Sequence, residues 1–227
     1  MTPVTEADLE INDLVLKRIK KEFPDHSILS EEGDDFSEES EYVWICDPID
    51  GTHNFSHGMP TATFALALVQ NGEPLLSVIL DPFLERTFSA EKDKGAYLNG
   101  HPIHVNKNTG LKKSLIGCGK TKAIRNLYPF MDAAYSRGVS FIAGLSIHYM
   151  CALVAAGEFS AALFGGNSAH DMVAAKLLVE EAGGRATDIF GSIPPRFDRD
   201  MDGQIVSNGL LHDEILQILD ETSPRSA

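Results

Sequence analysis

An α+β fold of two packed halves is what this sequence predicts, and three patterns predict it. An amphipathic helix opens the chain, β-rich segments joined by Asn-Gly turns follow, and strand and helix alternate in the remainder. With 227 residues and a hydrophobic fraction of 43%, the chain can bury one large core or two small ones. The expected organisation is two intimately packed halves, residues 1–108 and 109–227.

Between Glu6 and Glu22, Ala7, Ile11, Leu14, Val15 and Ile19 recur at steps of three and four, giving one apolar helical face with Thr5 placed to cap it. Asp8 therefore sits in the first turn. Pro24 ends the helix, and Ser27 to Ser30 reads as a short strand delivering Glu31 and Glu32 at its end. The acidic loop Gly33 to Glu41 runs into an apolar strand, Tyr42 to Cys46, expected to stop at Asp47. Phe64 to Val69 and Pro74 to Leu80 pair about Asn71-Gly72, and Tyr97-Leu98 pairs with Ile103 to Val105 about Asn99-Gly100. After the polar stretch Asn106 to Lys113 come a strand at Ser114 to Cys118 and a helix at Ile147 to Ala156. A strand at Ala161 to Phe164 and a helix at Met172 to Ala182 follow, the latter ended by Gly183-Gly184, which suits a left-handed cap.

Thirty-three acidic residues against 19 basic give a formal charge of −14, which opposes binding to nucleic acid. No apolar run approaches the ~20 residues that cross a bilayer, so no membrane partner is expected. The N-terminus is acidic where a secretory signal would be basic, and Cys46, Cys118 and Cys151 are far apart. A soluble, unprocessed protein of the reducing cytoplasm is expected.

The most informative segment is Asp47-Pro48-Ile49-Asp50-Gly51-Thr52. Pro48 fixes a turn that lets both carboxylates converge, and the amides of Gly51 and Thr52 at a helix start suit a phosphate group. Carboxylates without Cys or His partners suit a hard ion such as Mg²⁺. The same residues also read as an ordinary Asp-Pro turn with a helix cap. Glu31 and Glu32 read equally as part of a solvated acidic loop, and Asp171 as the cap of the helix that follows it.

Taken together, Glu31-Glu32, Asp47 to Phe55, and Asp171 followed by Ala174-Ala175 and Glu181 to Gly184 resemble the signature segments of the inositol monophosphatase family. The likeness extends to Val4 to Asp8, Gly95 to Gly100 and Val206 to Asn208. It implies a layered αβαβα sandwich, with a mostly antiparallel N-terminal sheet and a mixed C-terminal half. It also implies Mg²⁺-dependent hydrolysis of a small sugar or polyol phosphate, inositol phosphate or fructose 1,6-bisphosphate among them, by a homodimer using two or three ions. By this resemblance Glu31, Asp47 and the carbonyl of Ile49 hold one metal, and Asp47, Asp50 and Asp171 a second. Two cations clamp the attacking and leaving oxygens of an in-line displacement and acidify a bound water. Thr52, Asp8 and Glu31 orient and deprotonate that water, while Asp50, Gly51, Thr52, Phe164, His170 and Asp171 face the substrate.

The sequence also departs from the family pattern. Relatives carry roughly forty residues, a sizeable fraction of a small domain, before the Val-Thr-x-x-Asp segment, where only three precede Val4. The resemblance therefore implies that a loop carrying a metal-admitting lysine is missing. His170 stands where Trp is usual, either packing beside the site or serving the leaving group as an acid. Phe164 replaces an acidic residue that would bond a sugar-alcohol hydroxyl, which removes that source of discrimination. The basic run Lys120 to Arg125 reads as a solvated loop or as a contact for a second phosphate. A non-catalytic phosphate- or metal-binding relative of the same fold is the alternative to an enzyme.

Overall fold

The computed structural model describes residues 4–33, 35–37, 40–119, 124–166 and 168–223. Helix α1 (Glu6–Glu22) starts as expected, with a reciprocal cap. The Thr5 hydroxyl accepts the Asp8 amide, and the Asp8 carboxylate accepts the Thr5 amide at 2.8 Å. Seven strands then form one sheet in sequence order: β1 (Ser27–Ser30), β2 (Tyr42–Asp50), β3 (Thr63–Gln70), β4 (Glu73–Asp81), β5 (Arg86–Glu91), β6 (Gly95–Leu98) and β7 (His101–Ile103). Only β1 and β2 run parallel in this sheet; the remaining neighbours are antiparallel, and from β3 onward short hairpin turns join them. The short helix α2 (Thr52–Ser56) interrupts this sheet after β2.

The second half builds a five-stranded mixed sheet in the order β11-β12-β10-β8-β9. Its strands are β8 (Leu115–Gly119), β9 (Ser140–Ala143), β10 (Ala161–Phe164), β11 (Arg185–Thr187) and β12 (Gln204–Ser207). Its helices are α3 (Tyr128–Ser136), α4 (Ile147–Ala155), α5 (Val173–Glu181) and α6 (His212–Thr222). Eight of nine residues of α4 and seven of nine of α5 are buried, and a helix covered on all sides belongs in a middle layer. Both contribute to one core with inward residues of β2 to β6 and of β10 and β12, so this core draws on both sides of residue 108. Helices α3 and α6 bury only one stripe each, and cover the far face of the second sheet through Phe130, Ala134, Ile215, Ile218 and Leu219. The layers are therefore helix, sheet, helices, sheet, helices.

Three expectations are corrected in detail. Strand β2 does not stop before Asp47 but continues to Asp50. Asp171 does not open the long helix directly; it closes a separate 3-10 turn, Ala169–Asp171, and α5 starts past Met172. Arg125, expected on a basic loop, is 4% exposed, bonded to the carbonyls of Ser223 and Ile189 and to Asp220. Lys120 and Lys122 of the same run lie outside the described residues.

His212 at the start of α6 is buried, with Nε2 2.9 Å from Thr187 Oγ1 and Nδ1 2.8 Å from Ser207 Oγ. Burial, then the charge of Arg185, lowers its pKa to about 4, against a smaller pull from Asp213. The unfolded chain takes up this proton near pH 6.5 and the folded chain only near 4, so between those values the unfolded state binds more protons. Stability should therefore fall as pH drops through that window, by about 3 kcal/mol at most from this group. Urea unfolding at pH 7 and 4.5 should give a smaller difference in His212→Asn than in the parent; an equal difference would exclude this source.

Candidate active site

The centre of the site is an irregularity in β2. Its residues pair with β3 in register up to Asp47 opposite Ala65, and the next pairing is Asp50 opposite Thr63. Three steps along β2 thus match two along β3, so Pro48-Ile49 carries one residue too many, a bulge where a proline is tolerated. Side chains alternate faces along a strand, and residues three apart would point to opposite sides. The extra residue cancels that, and both aspartates face the side of Ala65 and Thr63.

Asp50 is then fixed from α4. Its Oδ2 accepts the Ser146 hydroxyl at 2.6 Å and the His148 amide at 2.6 Å, and lies 3.1 Å from His148 Nδ1. Burial pushes the Asp50 carboxyl up, but the bonds from His148 and Ser146 outweigh it and hold its pKa below the ordinary value. Gly51 follows at φ +89°, a left-handed turn in which a Cβ would crowd Ser146 and the Thr61 carbonyl at 3.4 Å. This turn starts α2, and Asn54 ties that helix to the loop before α4 through a 2.6 Å bond to the Gly144 carbonyl.

Thr52 and Asp8 meet beside the bulge. Thr52 Oγ1 lies 2.9 Å from the Ile49 carbonyl and 3.5 Å from Asp8 Oδ1, with both side chains buried. The two oxygens of Asp8 have separate tasks. Oδ2 completes the cap with Thr5, whose hydroxyl donates to it at 2.5 Å, and Oδ1 faces Thr52. Glu32 sits close by, its pKa raised by burial and then by the charge of Asp8.

These groups border a cavity of about 420 Å³. Glu31 at the end of β1, Asp47 and Asp50 of β2, and Asp171 of the 3-10 turn supply four carboxylates to its lining. The opposite wall holds Cys118 and Gly119 at the carboxyl end of β8, Ala143 at that of β9, and Tyr128 and Met131 of α3. Ligands of open α/β sheets collect at such strand ends. No Lys or Arg is among the described lining residues. One ligand atom each from Asp47, Asp50 and His148 lie within 4.8 Å of one another, a spacing that fits a cation. Cys118 is no nucleophile here, since burial pushes its thiol up to about 12.

The model of the inositol monophosphatase family matches residues 1–223. This chain belongs to the inositol monophosphatase family. Across 218 residues it is 34% identical to a fructose-1,6-bisphosphatase/inositol-1-monophosphatase of Thermotoga maritima, covering 96% of this chain and 82% of that one. The solved Thermotoga maritima IMPase superposes with a TM-score of 0.87 at 35% identity, over 96% and 83% of the two chains. An IMPase/NADP phosphatase complexed with Mg²⁺ and phosphate superposes with a TM-score of 0.86 at 25% identity, over 96% and 82%. Membership makes the protein a phosphoric monoester hydrolase that uses a divalent metal, and gives it the layered α+β fold described above.

The inositol monophosphatase fold brings most of the sequence-predicted residues together. Glu31, Asp47, Asp50, Gly51, Thr52 and Asp171 line one cavity, and Asp8 stands behind Thr52. Ile49 splits, its carbonyl turned to Thr52 and its side chain to an apolar groove with Ala7, Ile11 and Phe55. Two residues are elsewhere. Phe164, expected at the substrate, is fully buried in the core between the sheets, and His170 is half-buried in the 3-10 turn; neither lines the cavity. His53 does line it, as an exposed ring stacked 4.5 Å from His57. Sequence reading missed Tyr128, Met131 and His148. Pro129 in the first turn and Phe130 and Ala134 four apart are the signals that could have found α3.

Proposed function

We propose that the cavity binds a small sugar or polyol phosphate, and that Glu31, Asp47, the Ile49 carbonyl, Asp50 and Asp171 hold two Mg²⁺ ions, or three, beside it. The convergence of four carboxylates from three chain segments on one cavity carries this reading. A phosphate ester cannot approach such a wall without cations, and carboxylate and carbonyl oxygens suit a hard ion. When bound, the ions neutralise the phosphate and lower the pKa of a water. A cavity of about 420 Å³ is at the small end of ligand sites. The names of relatives support the substrate class: one is a fructose-1,6-bisphosphatase/inositol-1-monophosphatase, and another was solved with D-inositol-1-phosphate bound.

The chain's own groups then do the rest. The amides of Gly51 and Thr52 hold phosphate oxygens, and Tyr128 and Met131 shape the wall met by the alcohol. Thr52 Oγ1 accepts the proton of the attacking water and passes its own to Asp8 Oδ1, the neighbour it reaches at 3.5 Å. Glu31 holds the water in line. The same reading puts the protein in a reducing cytoplasm as a homodimer; the burial of three unbridged cysteines supports the first and the family likeness the second.

Phosphate release from inositol 1-phosphate, fructose 1,6-bisphosphate and an aryl phosphate, with Mg²⁺ or EDTA, tests the proposal. Release that EDTA abolishes and Mg²⁺ restores is expected, with the polyol esters preferred over the aryl ester. Tight Mg²⁺-dependent ligand binding without release would favour a binding protein instead.

A further inference from the structure

His148 is the second residue of α4, fully buried, and it does not line the cavity. Its amide and its ring both address Asp50 Oδ2, at 2.6 Å and 3.1 Å, beside the Ser146 hydroxyl at 2.6 Å. A carboxylate oxygen only accepts, so the proton of the ring is on Nδ1. Oδ2 is then saturated by three donors from one helix start, and no hydrogen bond among the described residues engages Oδ1. The other ring nitrogen, Nε2, is buried without a hydrogen-bond partner among the described residues. An imidazole with one nitrogen left bare in a core costs more than a leucine would. The bond made by the other nitrogen is what that cost secures.

We propose that His148 is a positioning residue of the metal site. Its Nδ1–H locks Asp50 so that Oδ2 stays with α4 and Oδ1 alone meets the cation, and its Nε2 makes no bond to the metal. This rests on the assignment of Asp50 to the metal made above. Groups that orient a metal ligand typically govern affinity by about 10- to 100-fold, and a ligand held by three donors has little freedom left to lose on binding.

Two near-isosteric variants separate the ring nitrogens, since an Asn amide reaches the place of Nδ1 and a Gln amide that of Nε2. Calorimetric titration of the whole protein with Mg²⁺ and with Mn²⁺, without substrate, is expected to give His148→Asn affinities within about twofold of the parent. His148→Gln and His148→Leu should be weaker by about tenfold. The preference between Mn²⁺ and Mg²⁺ should stay unchanged in all three variants, because no nitrogen ligand is lost. Long-range ¹H–¹⁵N spectra of the parent should show His148 protonated at Nδ1. A Gln variant that matches the parent while Asn fails, a Mn²⁺ preference that collapses with the ring, or a proton on Nε2 alone would each overturn the proposal. A parent protein that binds neither metal would overturn the metal-site reading itself, and a parent that binds with the wrong variant pattern only this inference.

Discussion

Asp47→Asn is expected to lower kcat/KM by about three orders of magnitude, the several kcal/mol that a metal clamp contributes to a phosphoryl transition state. The side chain is 1% exposed on β2 and lines the cavity with Asp50, Asp171 and Glu31. Asn has the same shape, so the bulge and the pairing with Ala65 survive while one negative charge goes. Without metal the variant should be at least as stable as the parent, because four carboxylates crowd one cavity and like charges repel. Metal separates the two proteins. At a Mg²⁺ concentration of 100 times Kd the parent gains about 2.7 kcal/mol, roughly 5–10 °C in Tm for a chain of this size, and the variant gains little. Phosphate release together with thermal unfolding at zero and saturating Mg²⁺ measures both. An intact Mg²⁺-induced shift with turnover within tenfold of the parent would remove Asp47 from the site.

Thr52→Val should cut kcat by about 10²- to 10³-fold with little change in KM, the range for losing a positioned proton acceptor. Valine keeps the β-branch and the start of α2, and forfeits only the hydroxyl that lies 2.9 Å from the Ile49 carbonyl and 3.5 Å from Asp8 Oδ1. Asp8→Asn should match it. Because the two act as one unit, the double variant should be scarcely worse than either single one. Thr5→Ala is the control, expected to lose about 1 kcal/mol of stability with its cap while Asp8 Oδ1 remains opposite Thr52. Steady-state kinetics across the set decides. Normal turnover in Thr52→Val would separate the pair from the chemistry, and losses that multiply in the double variant would show that the two do not act as one unit.

Local pattern carried the sequence reading where it succeeded. Helix α1, β1 and β10 begin and end where local periodicity, short apolar runs and turn residues put them. Strand β5 was not legible: only Phe88 and Ala90 are buried along it, too few to signal a strand. Helix α6 was overlooked although Ile215, Ile218 and Leu219 recur at helical spacing. In the site, Asp47, Asp50 and Glu31 could be read because they are close in sequence or end a strand. His148 could not, since its contact with Asp50 spans 98 positions and only the packing of α4 against β2 creates it. Phe164 failed for another reason. All four residues of β10 are buried, so alternation gives no hint of which face meets the ligand, and the resemblance alone suggested the cavity.

The extra residue at Pro48-Ile49 has a consequence for how this chain can change. What brings Asp47 and Asp50 to the same side is the odd number of positions gained on β3, a matter of parity rather than of chemistry. Exchanges at positions 48 and 49 that keep the count leave the two carboxylates facing together. Deleting either residue would straighten the ladder and leave the two aspartates two positions apart, which on a regular strand still face the same side, but it would re-aim the carbonyl that the bulge turns to Thr52. Facing and backbone are therefore separable in this stretch: a well-folded protein lacking position 48 or 49 keeps both aspartates toward the cavity, and any loss of hydrolysis in it reports on the backbone of the bulge rather than on the direction of the carboxylates.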